Sequence, residues 1–266
     1  MLIGGLVLIL AAIIFALAYV SRRRRLNLIR STETSSIELL RAQAASHAEE
    51  DGEGSFSRLA EVKGRVHCDT PLVSELAEIE CVYYSMRLQW EYEETQFEES
   101  SDGKQIRHTL EGNELLASNT EMAPFVVVDA FGSIKVDPEG AEIIAENALS
   151  RVETDEGLPD EYITIGRFRM EAPWKTSFEE RRPLRYFYEE KVIPVGHDVY
   201  VLGEATDRDG ELCIQRPARK GRFIVSVKPE EELVRSGRMV SFLLLLVAYI
   251  FGGIGVAIVL YELMHP

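Results

Sequence analysis

Residues 81–92 read CVYYSMRLQWEY, a stretch in which large apolar side chains occupy every second position. These positions are Val82, Tyr84, Met86, Leu88, Trp90 and Tyr92. Most of the positions between them are polar, among them Ser85, Arg87 and Glu91. Because successive side chains of a β-strand point to opposite faces, this alternation predicts a strand with one face on a core.

Further strand signals lie on both sides of this stretch. Two pairs of apolar segments each flank a short turn and predict a hairpin: 125–128 with 133–136, and 199–203 with 211–215. Other strand candidates are 59–66, 162–170, 185–188 and 222–227. The fold is therefore predicted to be mainly β, as a small sandwich or partly closed barrel with few short helices.

Helical signal is sparse between residues 58 and 235. Ile143, Ile144 and Leu149 predict one short helix over 139–149, and 230–239 leads directly into a long apolar segment. Upstream, Ile29, Ile37 and Leu40 allow a short amphipathic helix that continues from an apolar segment near the N-terminus. The acidic, glycine-containing residues 47–55 that follow are predicted to form a linker.

Two uncharged apolar segments, 2–20 and 240–260, enclose the β-rich part of the chain. A hydrocarbon core of ~30 Å needs roughly 20 apolar helical residues, so both segments predict transmembrane helices. We expect a first transmembrane helix at 1–21 and a second at 236–262. The regions around them are a basic flank with a short helix and acidic linker at 22–57, a β-rich domain at 58–235 and a tail at 263–266.

The charges beside the two spans predict their orientation. Residues 22–25 are four arginines that follow the first span, and Lys228, Arg235 and Arg238 precede the second. Since lysine and arginine favour the cytoplasmic side, we expect a two-pass protein of the cell membrane with a cytoplasmic central domain and both termini outside. A cleaved signal peptide is disfavoured, because no basic region precedes the first apolar run.

Small residues recur at four-residue spacing in both spans. The pairs are Ala12 with Ala16, Ala248 with Gly252, and Gly253 with Ala257. Such faces let helix backbones approach closely, so the spans can pack together or with a second copy of the chain. The alternative is that glycine and alanine are simply common in membrane helices. A homo-oligomer is therefore one candidate partner, beside the lipid bilayer and other membrane proteins.

The charge balance excludes one class of partner. The chain has 44 acidic and 29 basic residues and a formal net charge of −15. Such a surface repels phosphates, so we expect no nucleic-acid partner. The cysteines Cys68, Cys81 and Cys213 are odd in number and widely spaced, which favours free thiols in a reducing compartment.

Few motifs suggest a reaction. The sequence has no phosphate-binding loop, no Gly-x-Ser-x-Gly elbow and no His-Glu-x-x-His motif. His67 lies beside Cys68, but neighbours on a strand point to opposite faces and cannot form a nucleophile and base pair. Asp207, Asp209 and Gly210 resemble the start of a calcium loop without its remaining ligands, so they predict a hairpin turn.

The other polar candidates have simple structural explanations. The neighbouring glutamates at 179–180 and 189–190 can offer paired carboxylates, but nothing in the sequence places them across a cleft, so we expect a solvated acidic face. His197 is predicted in a turn before a strand, and His47 is predicted to be solvated. Catalytic residues therefore stay unknown, and we expect no metal and no cofactor.

Two groups of short motifs resemble a known family. The first is EVKGRV at 61–66, PLVS at 71–74 and CVYY at 81–84; the second is IPVG at 193–196, VYVLGEA at 199–205, FIVS at 223–226 and EEL at 231–233. Their order and the helix–domain–helix layout are similar to the GIDE-type membrane-anchored E3 ubiquitin ligases, whose β-rich middle part is called the beside-a-membrane domain. The resemblance covers roughly 59–233 and both spans.

The resemblance implies a RING after the second helix, in which cysteine and histidine ligands hold two zinc ions. The sequence has three Cys, five His and no Cys-x-x-Cys, and six residues follow Leu260. Two tetrahedral zinc sites cannot be assembled from these ligands. We therefore expect a prokaryotic-looking family member that lacks the C-terminal RING.

The expected function is that of a non-catalytic interaction or scaffold module at the cytoplasmic membrane surface. The alternative is an E3-like role in protein conjugation, which requires a separate RING or conjugating partner. A hydrolytic site that combines Cys68, His67 or His197 with a carboxylate is a further hypothesis, and it requires one of these side chains to line a cleft.

Overall fold

The computed structural model describes residues 2–31, 35–99, 105–154, 161–172, 181–218 and 221–264. The chain forms two units, which are Met1–Ser35 with Lys228–Pro266, and Ser36–Val227. The helices are α1 (Leu2–Ser31), α2 (Ile37–Asp51) and α3 (Glu230–Met264). The strands are β1 (Ser57–His67), β2 (Leu72–Val73), β3 (Glu80–Glu99), β4 (Gln105–Met122), β5 (Phe125–Val128), β6 (Ser133–Val136), β7 (Glu142–Ile144), β8 (Glu146–Thr154), β9 (Tyr162–Ile165), β10 (Phe168–Glu171), β11 (Arg181–Pro194), β12 (Asp198–Thr206), β13 (Cys213–Gln215) and β14 (Ile224–Ser226).

Strand β1 closes a ring of five strands in the central unit. It pairs antiparallel with β12 along its length, and its last residues also pair with β5. The β5–β6 hairpin, a parallel pairing of β6 with β13 and an antiparallel pairing of β13 with β12 complete the ring. Strands β14 and β7 extend from β12. The predicted partly closed barrel and both predicted hairpins are therefore confirmed.

Apolar side chains from every strand of the ring fill the barrel. The core residues on these strands include Ala60, Val62, Val66, Phe125, Val127, Ile134, Val136, Val199, Val201, Ala205 and Ile214. Helix α2 adds Ile37, Leu40 and Ala44 to the same core. The short apolar stripe of α2 therefore packs into the barrel core.

Helix α2 is longer than the sequence suggested. It begins after Ser36, whose Oγ accepts the Leu39 amide, and the Ile37 amide donates to Asp129 Oδ2 in the β5–β6 turn at 3.0 Å. It ends at Gly52, which has a φ of 93°. Residues 47–51, which we predicted as linker, are helical. The sequence did not predict a helix here, because these residues are mostly acidic and the buried apolar residues of α2 all lie in the preceding turns.

A second sheet contains β3, the strand predicted from the alternation at 81–92. Strand β3 pairs with β11 on one side and with β4 and β2 on the other, and β8 pairs with β11. The predicted alternation is confirmed, since Val82, Tyr84, Met86, Leu88 and Trp90 are all buried. Met86, Leu88 and Trp90 of this face form a core with Tyr186 and Tyr188 of β11 under the β9–β10 hairpin.

The predicted strand at 162–170 is a hairpin of two short strands. It turns at Gly166, whose φ is 55°, and a Cβ there would lie 2.5 Å from Leu76 O. The turn is docked by the Arg167 amide, which donates to Glu75 O at 2.8 Å. This contact positions the hairpin over the loop that follows β2.

The predicted helix at 139–149 is wrong, because these residues form β7 and the start of β8. Ile143 pairs in parallel register with Val225 of β14, and Leu149 pairs with Glu190 of β11. Both segments find partners far away in the sequence, and this pairing overrides the local helical spacing.

The unit that contains α1 and α3 holds two segments long and apolar enough to cross a membrane, Ile3–Ser21 and Met239–Met264. The helices pack against each other: a Cβ on Gly255 would lie 2.9 Å from Gly5 O, and one on Gly252 would lie 3.6 Å from Ala12 Cβ. The Ala12–Gly252 contact agrees with the interpretation that the spans pack together.

Barrel closure predicts that Gly64 tolerates no side chain. A Cβ on Gly64 would overlap Val128 O. We expect Gly64→Ala to lower the free energy of unfolding of the full chain in detergent by about 1–3 kcal/mol, the usual cost of overpacking. Urea unfolding followed by circular dichroism measures this free energy of unfolding. The control is Gly132→Ala, where the new Cβ meets its nearest atom at 3.5 Å, and equal stability of the two variants would contradict the prediction.

The helix contact predicts a difference between two neighbouring glycines. With the native cysteines replaced by alanine, Ala12→Cys with Gly252→Cys should form an intramolecular disulfide, since the Cβ separation fits one. Adding Gly255→Ala should slow its formation by at least ~5-fold, which corresponds to about 1 kcal/mol of overpacking. Adding Gly253→Ala should leave the rate unchanged, because nothing lies within 4 Å of that position. Mass spectrometry at successive times measures the rate of disulfide formation. Equal rates for the Gly255→Ala and Gly253→Ala variants would refute the packing.

Candidate functional site

A cleft of about 730 Å³ lies between β2, β4 and the β9–β10 turn. Its floor is formed by Tyr84 and Met86 of β3 with Asn119 and Glu121 of β4. These four side chains share a face because Tyr84 is directly opposite Glu121 and Met86 is opposite Asn119 in the antiparallel register. The walls include Leu72, Val73, Glu75, Arg167 and Arg169.

The polar groups on the floor form one hydrogen-bond network. Asn119 Nδ2 lies 2.7 Å from Glu75 Oε1, 3.3 Å from Glu121 Oε1 and 3.1 Å from the Tyr84 hydroxyl. The Tyr84 hydroxyl also donates to Glu75 Oε1 at 3.3 Å. One amide and one phenol therefore lie between two carboxylates.

Tyr84 stays neutral in this network. Burial raises the pKa of its hydroxyl, and the neighbouring carboxylates of Glu121 and Glu75 raise it further. The hydroxyl is therefore a hydrogen-bond donor at neutral pH and a poor general base.

The cleft is anionic on its floor and cationic on its exposed rim. In the part of the chain that the structure describes, no basic side chain forms an ion pair with Glu75 or Glu121. Arg167 donates to Val73 O at 3.3 Å, and the Arg169 guanidinium lies 4.1 Å from the centre of the Tyr162 ring. The floor can therefore accept hydrogen bonds from a cation or an amide.

A buried carboxylate holds the loop that carries Glu75. Glu190 accepts the amides of Leu76 and Ala77 at 2.9 and 2.7 Å. Its neighbour Glu189 is half-buried and pairs with Lys191 at 3.1 Å. The expected solvated face is wrong for Glu190, which is fully buried because it holds two backbone amides, and residues 179–180 lie outside the described residues.

The hypothetical hydrolytic residues do not line the cleft. His67 Nε2 lies 3.2 Å from Asp69, and the Cys68 thiol lies 3.7 Å from Pro124 O. His197 occupies the turn before β12 as predicted, with Nε2 3.6 Å from Glu146. Each of these three side chains has another partner, and none of them lines the cleft.

The other two thiols are poor nucleophiles. Burial raises the pKa of Cys81 to about 11, with a further contribution from the charge of Glu190. Burial also raises the pKa of Cys213, as does the charge of Asp209. At neutral pH both side chains are therefore protonated, and both are free thiols, as predicted.

The predicted turn after β12 is confirmed as a turn. The Gly210 amide donates to Asp207 O at 2.9 Å, and Asp207 Oδ1 accepts the Phe56 amide at 3.0 Å. His47 is exposed as predicted, with its ring against Phe56. Among the described residues, no group of three or more His, Cys, Asp or Glu side chains is placed to hold a metal ion.

The residues of the cleft were missed at the sequence level. Tyr84 was predicted only as a core residue, and Glu75, Asn119 and Glu121 lie in segments without a recognised motif. Asn119 and Glu121 are two residues apart on β4 and therefore lie on the same face of the strand. This spacing is the sequence signal that indicates a polar floor. Recognising it requires the register between β3 and β4.

Comparison with known proteins gives one match. Residues 93–260 match the model of the GIDE family, which is described as E3 ubiquitin ligase. No curated protein matches the chain, and no solved structure matches it. The match contains the second group of motifs at 193–233 and begins after the first group at 61–84.

Proposed function

Because the chain belongs to the GIDE E3 ubiquitin ligase family, we propose that it is a membrane-anchored module that binds other membrane proteins as a non-catalytic scaffold. The observation that carries the proposal is the open cleft on a β-rich unit whose chain continues at both ends into apolar helices. Anchoring of this kind raises the effective concentration of the module toward partners in the same membrane, so weak contacts suffice.

The family supports a second candidate function, which is a role in protein conjugation. In that case the chain recruits a separate RING protein or conjugating enzyme and presents a target to it. The two candidates differ in the class of protein that the domain binds. Partner identity therefore discriminates between them.

The positive charges beside the spans support a cytoplasmic location of the β-rich unit. Residues 22–25, Lys228 and Arg235 all flank the spans on the side of this unit. A cysteine placed at the exposed Glu139 should react with a membrane-impermeant maleimide only after cells are permeabilised. A cysteine added at the N-terminus should react in intact cells. Labelling of the Glu139→Cys variant in intact cells would contradict this orientation.

The interaction role predicts partners that depend on the folded barrel. The tagged full chain, cross-linked in its native membrane, should capture membrane proteins that a Val62→Asp variant loses, because Val62 is fully buried and a carboxylate there unfolds the barrel core. Mass spectrometry identifies the captured proteins. Capture of a conjugating enzyme or RING protein would favour the second candidate. The same set of proteins on both variants, or a monomer without partners, would contradict both candidates.

A further inference from the structure

Strand β4 has one edge that the described strands leave free. It pairs with β3 along its whole length, and no other strand in the described part of the chain pairs with it. The Ala123 amide donates to Val82 O at 2.9 Å, directly across the ladder. In an antiparallel pair, hydrogen-bonded residues alternate with residues whose backbone groups point away. The backbone groups of Ser118, Thr120 and Met122 therefore point to the free edge.

The cleft opens along this same edge. Ala117, Ser118 and Asn119 of β4 belong to its lining, and the side chains of Ser118 and Thr120 are exposed on the opposite face of the sheet. A strand added to the edge would direct every second side chain to the cleft face. Backbone pairing and side-chain recognition thus occur at one place.

The charge on the floor selects the side chain that enters. Glu75 is half-buried, so its charge is poorly screened, and Asn119 and Tyr84 offer it neutral donors only. Arg167 and Arg169 on the rim are exposed, as is Glu121, so solvent and salt weaken the fields of all three. The half-buried Glu75 therefore supplies most of the field on the floor. A lysine or arginine side chain therefore matches the floor, and a carboxylate is repelled by it.

We propose that the free edge of β4 binds an extended segment of a partner protein as an added strand, with a basic side chain of that segment in the cleft. This inference rests on the proposed interaction role and names the partner class: a β-prone segment that carries lysine or arginine at alternate positions. Main-chain hydrogen bonds to Ser118, Thr120 and Met122 supply affinity, and the carboxylates of Glu75 and Glu121 supply specificity.

A peptide series tests the proposal on the full chain in lipid nanodiscs. The probe is a fluorescein-labelled peptide that alternates threonine and lysine, and one comparison peptide alternates threonine and glutamate. A second comparison peptide keeps the lysines but carries N-methyl groups on alternate backbone nitrogens. We expect the lysine peptide to bind at least ~10-fold more tightly than either, since each loses an interaction worth about 1.4 kcal/mol or more. Equal binding of the N-methylated peptide would overturn the proposal, because attraction by net charge alone would then explain the affinity.

Matched variants locate the site. Glu121→Gln should weaken binding of the lysine peptide by roughly 2- to 5-fold, and Glu139→Gln, which removes the same charge from the exposed turn before β7, should leave it unchanged. Ser118→Pro removes an amide that faces outward, a position where edge strands accept proline. It should weaken binding at least ~10-fold, whereas Ser118→Ala should not change it. Equal binding by all variants would place the peptide elsewhere and overturn the proposal.

Two readouts separate this inference from the proposed function. Thermal unfolding shows whether the Ser118→Pro chain folds, and if it does not, the N-methylated peptide decides the role of the edge. Failure of the lysine peptide to bind, while the full chain still captures barrel-dependent membrane proteins, would refute the edge site and leave the interaction role intact. Loss of that capture, with peptide binding retained, would refute the interaction role alone.

Discussion

The close approach of Gly64 to the backbone of Val128 is the contact on which the barrel depends. Strand β1 pairs with β12 from its first residue, and at Arg65 it pairs with β12 and β5 at once. Strands β12 and β5 can both pair with β1 there only because Gly64 has no Cβ to occupy the space beside Val128 O. Closing the ring in this way removes two sheet edges and encloses the apolar core on which α2 packs.

The barrel also supports the sheet that carries the cleft. Val82 near the start of β3 and Ile193 near the end of β11 belong to the barrel core, so both strands are anchored at one end. Beyond this base, β3 and β11 build a separate aromatic core with the β9–β10 hairpin. Glu190 of β11 then holds the loop of Glu75 by two backbone amides. The cleft is therefore supported by strands that extend from the barrel.

The strands could be predicted from sequence to the extent that their faces differ in polarity. The alternation in 81–92 was sufficient to predict β3, because its even positions from 82 to 90 are buried and its odd positions from 83 to 91 are not. Residues 139–149 were mistaken for a helix because their partners lie on β14 and β11, which no local pattern shows. The cleft could not be predicted for the same reason. It depends on the register that places Asn119 opposite Met86.

The region that matches the family contains only some of the residues that form the cleft. The match begins at residue 93, within β3, so Asn119 and Glu121 lie inside it while Glu75 and Tyr84 precede it. The hydrogen bonds of Asn119 join the two parts across β3 and β4. A site assembled in this way needs the first motif group, at 61–84, to fold with the matched region. The resemblance in that group consequently bears on the cleft as well as on the barrel.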